Sequence, residues 1–581
     1  MAQPDLSTVH SHLVALYGRS GGEDAFERLR VILDHYRDLP APHTEGDDRF
    51  LSERDTVLIT YADQLSEPST FPLQTLTKFC EQYLFNLVNS IHILPFFPYS
   101  SDDGFSVIDY RAVNPAFGSW EDISRLGHSF RLMFDAVINH ASVQHAWFQA
   151  FLKDNPRYRD YFIVVEGDPD LSQVVRPRAL PLLTTFETSS GPKQVWTTFS
   201  VDQVDLNFQN PNVLLEIIDT LLFYVQQGAQ LIRLDAIAYL WKEIGTSCIH
   251  LPQTHHIIQL FRSVLDVVAP HVLLITETNV PHIDNISYFG NGGDEAQMVY
   301  NFALPPLLLH TLYTGNSRVL SQWAAGLKLP SNRTTFFNFL ASHDGIGVNP
   351  ARGILSDSEI DAMIEWTIQH GGLVSYKHDP SGAQIPYELN INYFDALSSP
   401  QAKESLKIQV DRFITSQAIM LALVGVPGIY FHSLFGSRSW RAGVDLTGRN
   451  RTINRQKFDL ASFESELRDE TSLRYQVFHR YVQLIEARCA SSAFHPHGEQ
   501  QIRDCGEGIF TLLRVSPDGN QRVLCIHNIS DQSQNVKIDL KDRSGLSGRL
   551  TDLITNRQID DSIPGNLVLQ PYQTLWVALK E

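Results

Sequence analysis

The amino-acid sequence predicts an α/β protein: a (β/α)8 barrel with small inserted domains and a C-terminal antiparallel β domain. Two observations carry the barrel. Short apolar runs end abruptly in polar residues, as buried parallel strands do, and helix-like segments with apolar residues at i, i+3 and i+4 lie between them. A third, a change to alternating runs after about residue 490, marks the last domain. In chain order, residues 1–50 read as a helical extension of no assigned role. The barrel spans 51–490, with runs at Val57–Asp63, Ser90–Phe96, Leu132–His140, Leu231–Ala236, Val272–Glu277, Phe336–Asp344 and Gly425–Phe431. Asn212–Gly228 is a clear helix with a glycine stop. Asp135 and Asp235 stand a hundred residues apart, whereas one βα unit takes about 30. The excess, about 141–202, reads as a small domain inserted after the third strand. A second excursion, about 349–395, contains GGLVSYKHDPSGAQIPYE and reads as loop beside the barrel mouth. Residues 491–581, with GIFTLLRVS, RVLCIHNIS, NVKIDL and TLWVAL, form the C-terminal β domain.

Composition narrows the function. Apolar residues make up 43% of the 581 and charged residues 19%, a globular balance. With 46 basic and 65 acidic side chains the net charge is −19, which disfavours nucleic-acid and membrane partners. Five scattered cysteines (Cys80, Cys248, Cys489, Cys505, Cys525) suit a reduced compartment, with neither a zinc set nor a disulfide framework. No secretory leader and no run long enough for a membrane span are evident. The expectation is a cytoplasmic enzyme, monomer or homodimer, needing no metal or organic cofactor.

In such a barrel the C-terminal strand ends carry the site. They present Asp102, Asp135, His140, Arg233, Asp235, Glu277, His343 and Asp344. A single carboxylate there is commonly a helix cap, but several strands ending in carboxylate or histidine at one mouth are not explained by capping. Carboxylates without cysteine or repeated histidine point away from zinc and towards glycosyl transfer, in which one attacks the anomeric carbon and another serves as acid, then base. Arg233 lies two residues before Asp235, on the same strand face, and keeps that carboxylate ionised.

At these residues the sequence resembles the α-amylase superfamily, glycoside hydrolase family 13. Its four signature regions stand as DAVINH (Asp135–His140), IRLDA (Ile232–Ala236), ITETN (Ile275–Asn279) and ASHD (Ala341–Asp344). The segments LITYAD, IHILPFFPYSSDDGF, RPRALPLL, KEIGTSC, FALPPLLLH, SHDGIGV and GRNRTINR resemble the sucrose-phosphorylase subfamily over most of the chain. The resemblance implies Asp235 as nucleophile, Glu277 as acid/base and Asp344 as the carboxylate that grips the donor sugar. It implies Asp102, His140, Arg233, His343 and Arg455 around the glucose, with Phe105 and Phe199 as aromatic walls. Arg178 and Tyr387 match phosphate-handling positions, and Gln203 approaches from the insertion. Asn279 and Glu388 stand where the sucrose enzymes carry His and Gln, on the acceptor side. The donor therefore reads as glucose, with fructose in doubt. Tyr376, Lys377, His378 and Tyr387 are candidate donors to an acceptor carboxylate, which Glu388 opposes unless it is turned away or neutralised by a cation. ITETNVP, PYELN and the N-terminal extension look most like the glucosylglycerate phosphorylases of this subfamily. The resemblance thus implies a retaining phosphorylase taking an α-glucoside, 2-O-α-glucosylglycerate foremost, and inorganic phosphate. Phosphorylases of sucrose, sucrose 6′-phosphate or glucosylglycerol are the alternatives, followed by an α-glucosidase or a non-catalytic sugar-binding relative.

Overall fold

The computed structural model describes residues 6–39, 51–378, 383–537, 550–559 and 566–579. Eight parallel strands close into a barrel: β1 (Val57–Thr60), β2 (Ser90–Ile93), β3 (Arg131–Ala136), β4 (Ala229–Leu234), β5 (Leu273–Thr276), β6 (Met298–Tyr300), β7 (Thr335–Asn338) and β8 (Val426–Tyr430). Each pairs with its sequence neighbours, and β1 closes on β8 with Val57 opposite Gly428. The expected (β/α)8 class is the observed one. β6 has no counterpart among the runs picked out by sequence, because its three residues are too short to stand out from the apolar helix that follows.

The helices outside the barrel follow local signals. In Pro211–Gln226 the Asn210 side chain accepts from the Asn212 N–H, proline occupies the first turn and Gly228 at φ +100° follows the end. The N-terminal helical segment, Ser7–His35, is broken at Gly18 and packs on the helices Pro211–Gln226 and Pro252–Val268, which precede β4 and β5. Residues 1–5 and 40–50 of the expected extension lie outside the described residues.

Between β3 and β4, strand His140–Ser142 pairs antiparallel with Gln203–Asp205. The chain between them forms a three-stranded sheet from Val164–Val165, Leu183–Thr188 and Gly191–Trp196. Trp196, unassigned from sequence, is core to this insertion with Val165, Val174, Leu182 and Cys248. After β7 the expected loop is largely ordered secondary structure. Leu373–His378 and Gln384–Asn390 pair as an antiparallel hairpin, with Ile346–Gly347 on its edge and a register shift between Ser375 and Tyr376. Past Glu499 the chain forms a six-stranded antiparallel sheet. It is keyed to the barrel by buried Arg514, which donates to the Ala422 carbonyl at 2.8 Å and the His495 carbonyl at 2.7 Å.

Candidate active site

The site grows from a polar layer at the top of the barrel interior. His92 Nε2 of β2 is hydrogen-bonded to Asp135 of β3 at 2.6 Å. The other Asp135 oxygen pairs with Arg233 of β4, and all three side chains are buried. The Arg233 guanidinium lies 5.7 Å from the Phe105 ring centre and 5.5 Å from that of Tyr300, so two ring faces hold its plane. It donates to Asp235 at 2.7 Å and reaches Glu277 at 3.8 Å. One cation therefore serves both carboxylates at the ends of β4 and β5. Ala236, next after Asp235, takes φ +47°, a left-handed conformation costly for a residue with a Cβ. The strain turns its N–H onto the Glu277 carboxylate at 2.9 Å.

Two more elements close the mouth. The chain after β2 folds back through Asp102 and Asp103, both at positive φ, to Gly104 at φ +115°. A Cβ at Gly104 would stand 2.5 Å from the Pro95 carbonyl oxygen, so only glycine allows this turn. The turn delivers Asp102 and Phe105 to the rim, with Phe105 stacked on His343 at 4.7 Å between ring centres. After β7, Asp344 meets Arg451 at 2.6 Å and Arg455 at 3.4 Å, and Arg455 also holds Asp102 at 3.3 Å.

These environments set the carboxyls apart. Burial pushes Glu277 up to about 7, with Arg233 opposing and the Asp235 charge adding to the rise. Burial also raises Asp235, against the pull of Arg233. For Asp344 the same burial is outweighed by the Arg451 and Arg455 guanidinium groups, which hold it far below the usual carboxylate range. His343 is lowered to about 3 by burial and is neutral. The cavity thus contains a carboxyl able to give and take a proton near neutral pH beside one that stays ionised.

The cavity is lined by Asp102, Phe105, His140, Arg178, Phe199, Gln203, Asp235, Glu277, Asn279, His343, Asp344 and Tyr387, all named from sequence. Tyr239, Thr278, Val280, Pro177 and Arg451 line it too and were not. Arg451 sits in the same GRNRTINR segment as Arg455, so a basic pair one helical turn apart was its visible signal. Arg233 and Arg455 stand behind the lining, acting through the carboxylates they hold. Glu388 departs from expectation: it is fully buried behind the lining. One of its oxygens accepts from the Gly345 N–H at 2.8 Å and the other from Arg451 at 3.1 Å, so it is paired with a cation and turned away from the cavity. Tyr376 is largely exposed, and Lys377 lies 5.7 Å from the Tyr387 ring centre. The side chain of His378 lies outside the described residues. Among the described residues no group of three or more His, Cys, Asp or Glu is placed to hold a metal ion. None of their helices is long and apolar enough to cross a membrane.

Comparison with known proteins places this geometry. The α-amylase catalytic domain family matches residues 81–344. A glucosylglycerate phosphorylase of Spirochaeta thermophila is 54% identical over 89% of this chain and 88% of its own length. One of Allomeiothermus silvanus is 48% identical over 99% of each chain. The crystal structure of sucrose 6F-phosphate phosphorylase from Thermoanaerobacter thermosaccharolyticum superposes with a TM-score of 0.71 at 26% identity, covering 82% of this chain and 94% of that one. The chain belongs to the α-amylase family, within its branch of glucosylglycerate and sucrose phosphorylases.

Proposed function

We infer that the protein is a retaining α-glucoside phosphorylase that converts 2-O-α-glucosylglycerate and phosphate to α-D-glucose 1-phosphate and D-glycerate. One observation carries the chemistry. Two carboxyls share the Arg233 guanidinium, with Glu277 held near neutrality, in a cavity that opens past Arg178. Arg178 has no carboxylate within ion-pair reach among the described residues; its neighbour is the Tyr387 ring, 5.8 Å away. The identity to glucosylglycerate phosphorylases along the whole chain supports glycerate as the acceptor.

The steps follow from the groups. Asp235 attacks C1 of the glucosyl unit while Glu277 gives its proton to the departing glycerate oxygen, leaving a β-glucosyl ester on Asp235. Glycerate leaves and phosphate takes its place. Glu277, now a base, accepts a phosphate proton as the phosphate oxygen displaces Asp235 at C1. Two inversions give the α-product. Ionised Asp344 stabilises the positive charge that develops at the anomeric centre, and Arg178 offsets the phosphate charge beside three carboxyls. The free cysteines fit a reducing cytoplasm.

The test is a phosphorolysis screen followed by 31P NMR. Glucosylglycerate should exceed sucrose and glucosylglycerol in kcat/KM by roughly two orders of magnitude, the effect of losing a desolvated charge contact of about 3 kcal/mol. Equal values for sucrose and glucosylglycerate would return the protein to the sucrose enzymes. Turnover at the same rate without phosphate would make it a glucosidase.

A further inference from the structure

The turn that delivers Asp102 and Phe105 to the cavity is gripped from outside by a carboxylate that the mechanism above does not use. Asp102, Asp103 and Gly104 are three successive residues at positive φ, two of them with a Cβ. Such backbone persists only where surrounding contacts impose it. From the barrel side, Arg455 pairs with Asp102 at 3.3 Å and with Asp103 at 2.6 Å. From the other side comes Asp202, beside Gln203 at the root of the insertion. Its Oδ2 accepts from the Ser100 hydroxyl at 2.6 Å and from the Ser101 hydroxyl, both on the incoming stem of the turn. The Ser106 hydroxyl, on the outgoing stem, stands 2.9 Å from the same oxygen and 2.7 Å from the Asp202 carbonyl oxygen, its one proton serving either. The stems also meet directly, the Ser100 N–H donating to the Ser106 carbonyl at 3.0 Å.

Each hydroxyl has a place for its single proton. Ser100 Oγ stands 2.6 Å from Ser142 Oγ as well as from the carboxylate. With the Ser100 proton on Asp202, Ser142 donates to Ser100 and itself accepts from the Gln144 N–H at 2.9 Å. Hydrogen bonds to an ionised oxygen are the strong, directional kind, and here all three come from one turn. Asp202 does not line the cavity. The turn it grips contributes Asp102 and Phe105 to the lining, and the insertion that carries it contributes Arg178, Phe199 and Gln203. Gln203 adds a second tie between the two, its amide donating to the Phe105 carbonyl at 3.0 Å.

We propose that Asp202 is a positioning residue that, by clasping both stems of the Ser100–Ser106 turn, locks Asp102 and Phe105 against the insertion in the arrangement that receives the glucosyl unit. The proposal rests on the proposed function only for what the cavity binds; the clasp itself is a property of the free protein.

Asp202→Ala opens the clasp without touching a lining residue. In the ligand-free variant, hydrogen exchange at the amides of residues 100–106 should quicken at least tenfold, with the barrel strands unchanged. Calorimetric titration with D-glucose should show the Kd rising at least tenfold. A carboxylate that served stability alone would lower the fraction of protein able to bind and leave the Kd of the folded protein as it was. Ser100→Ala paired with Ser101→Ala attacks the same contacts from the turn. It should reproduce part of both effects and add little to Asp202→Ala, because the interaction it removes is already gone. Unchanged exchange over residues 100–106, or a glucose Kd within twofold of the parent, would overturn the proposal in a folded Asp202→Ala protein. If that variant does not fold, the serine pair decides by the same two measurements. A parent protein that fails to bind glucose would strike the proposed function, and the exchange result alone would then uphold or overturn the clasp.

Discussion

Glu277 and Asp344 are carboxyls of the same cavity, both removed from bulk water, yet their neighbours drive them in opposite directions. Asp344 faces two guanidinium groups, while Glu277 shares one with Asp235 and feels the Asp235 charge at close range. The raised value of Glu277, about 7, has two consequences. For catalysis, the first step needs the protonated form, so kcat/KM should fall above an apparent value near 7. For stability, the folded state holds a proton on Glu277 that the unfolded chain releases near 4.5. Folding therefore gains from this group below about 4.5 and loses that gain as pH rises to about 7, by about 3 kcal/mol in all. Glu277→Gln removes the penalty, so the variant should be inactive but more stable than its parent at pH 8, with the difference shrinking towards pH 5. Denaturation midpoints at the two pH values check this, and a pH-independent difference would refute it. The strand-end carboxylates were legible in the sequence because each is a local feature: an apolar run that stops at an acid. His92 and Tyr239 were not, because their meaning comes from neighbours far along the chain. His92 looks like any histidine in an apolar strand until β3 brings Asp135 to 2.6 Å.

At the level of elements, the insertion and the hairpin after β7 together make the mouth, one contributing Arg178 and the other Tyr387. Both were visible as interruptions of the βα spacing, but the hairpin's form was hidden by the run of Gly, Asp, Pro and Ser around its tip. That misreading carried a cost at the residue level. On a strand, successive side chains point to opposite faces. Once Gln384–Asn390 is a strand with Tyr387 towards the cavity, Glu388 must point away, where Arg451 and the Gly345 N–H receive it. Read as loop, the same two residues both seemed free to face the acceptor. The junction of the two elements also defines a prediction for phosphate. Arg178→Ala removes a cation of the cavity lining that has no ion-pair partner among the described residues, without touching Asp235 or Glu277. The KM for phosphate should rise by roughly tenfold or more, as expected for a lost charge-assisted contact of about 1.5–3 kcal/mol. Formation of the glucosyl ester should be little changed, so a larger share of it should be lost to water. An unchanged KM for phosphate would make Arg178 a bystander.

Across the whole molecule, the two strands that end in the proposed nucleophile and acid/base are braced from outside by the N-terminal helical segment. Val9, Leu13, Ala25, Leu29 and Leu33 of Ser7–His35 are buried, and the segment packs on the helices Pro211–Gln226 and Pro252–Val268 that lead into β4 and β5. Polar ties add direction: the Tyr17 hydroxyl donates to the Phe208 carbonyl at 2.9 Å, and Arg28 donates to Asn212 at 2.7 Å. The helical character of this segment was legible in the sequence, but its role was not, since no residue in it bears on chemistry and its partners lie some two hundred positions away. The structure makes it part of the barrel's outer layer rather than an appendage. Leu13 and Leu29 lie on either side of the break at Gly18, and both are fully buried. Truncating either to alanine removes apolar contact and leaves a cavity, at a cost of about 2–5 kcal/mol each. Leu13→Ala and Leu29→Ala should each lower the denaturation midpoint, and the double variant should lower it further. Any of the three that remains folded at 25 °C should keep kcat/KM within about twofold, because the cavity's own contacts are intact. Midpoints indistinguishable from the parent would show that the segment is held only at its ends. A large fall in kcat/KM in a fully folded variant would show instead that the brace reaches the site itself, by shifting the helices that carry β4 and β5.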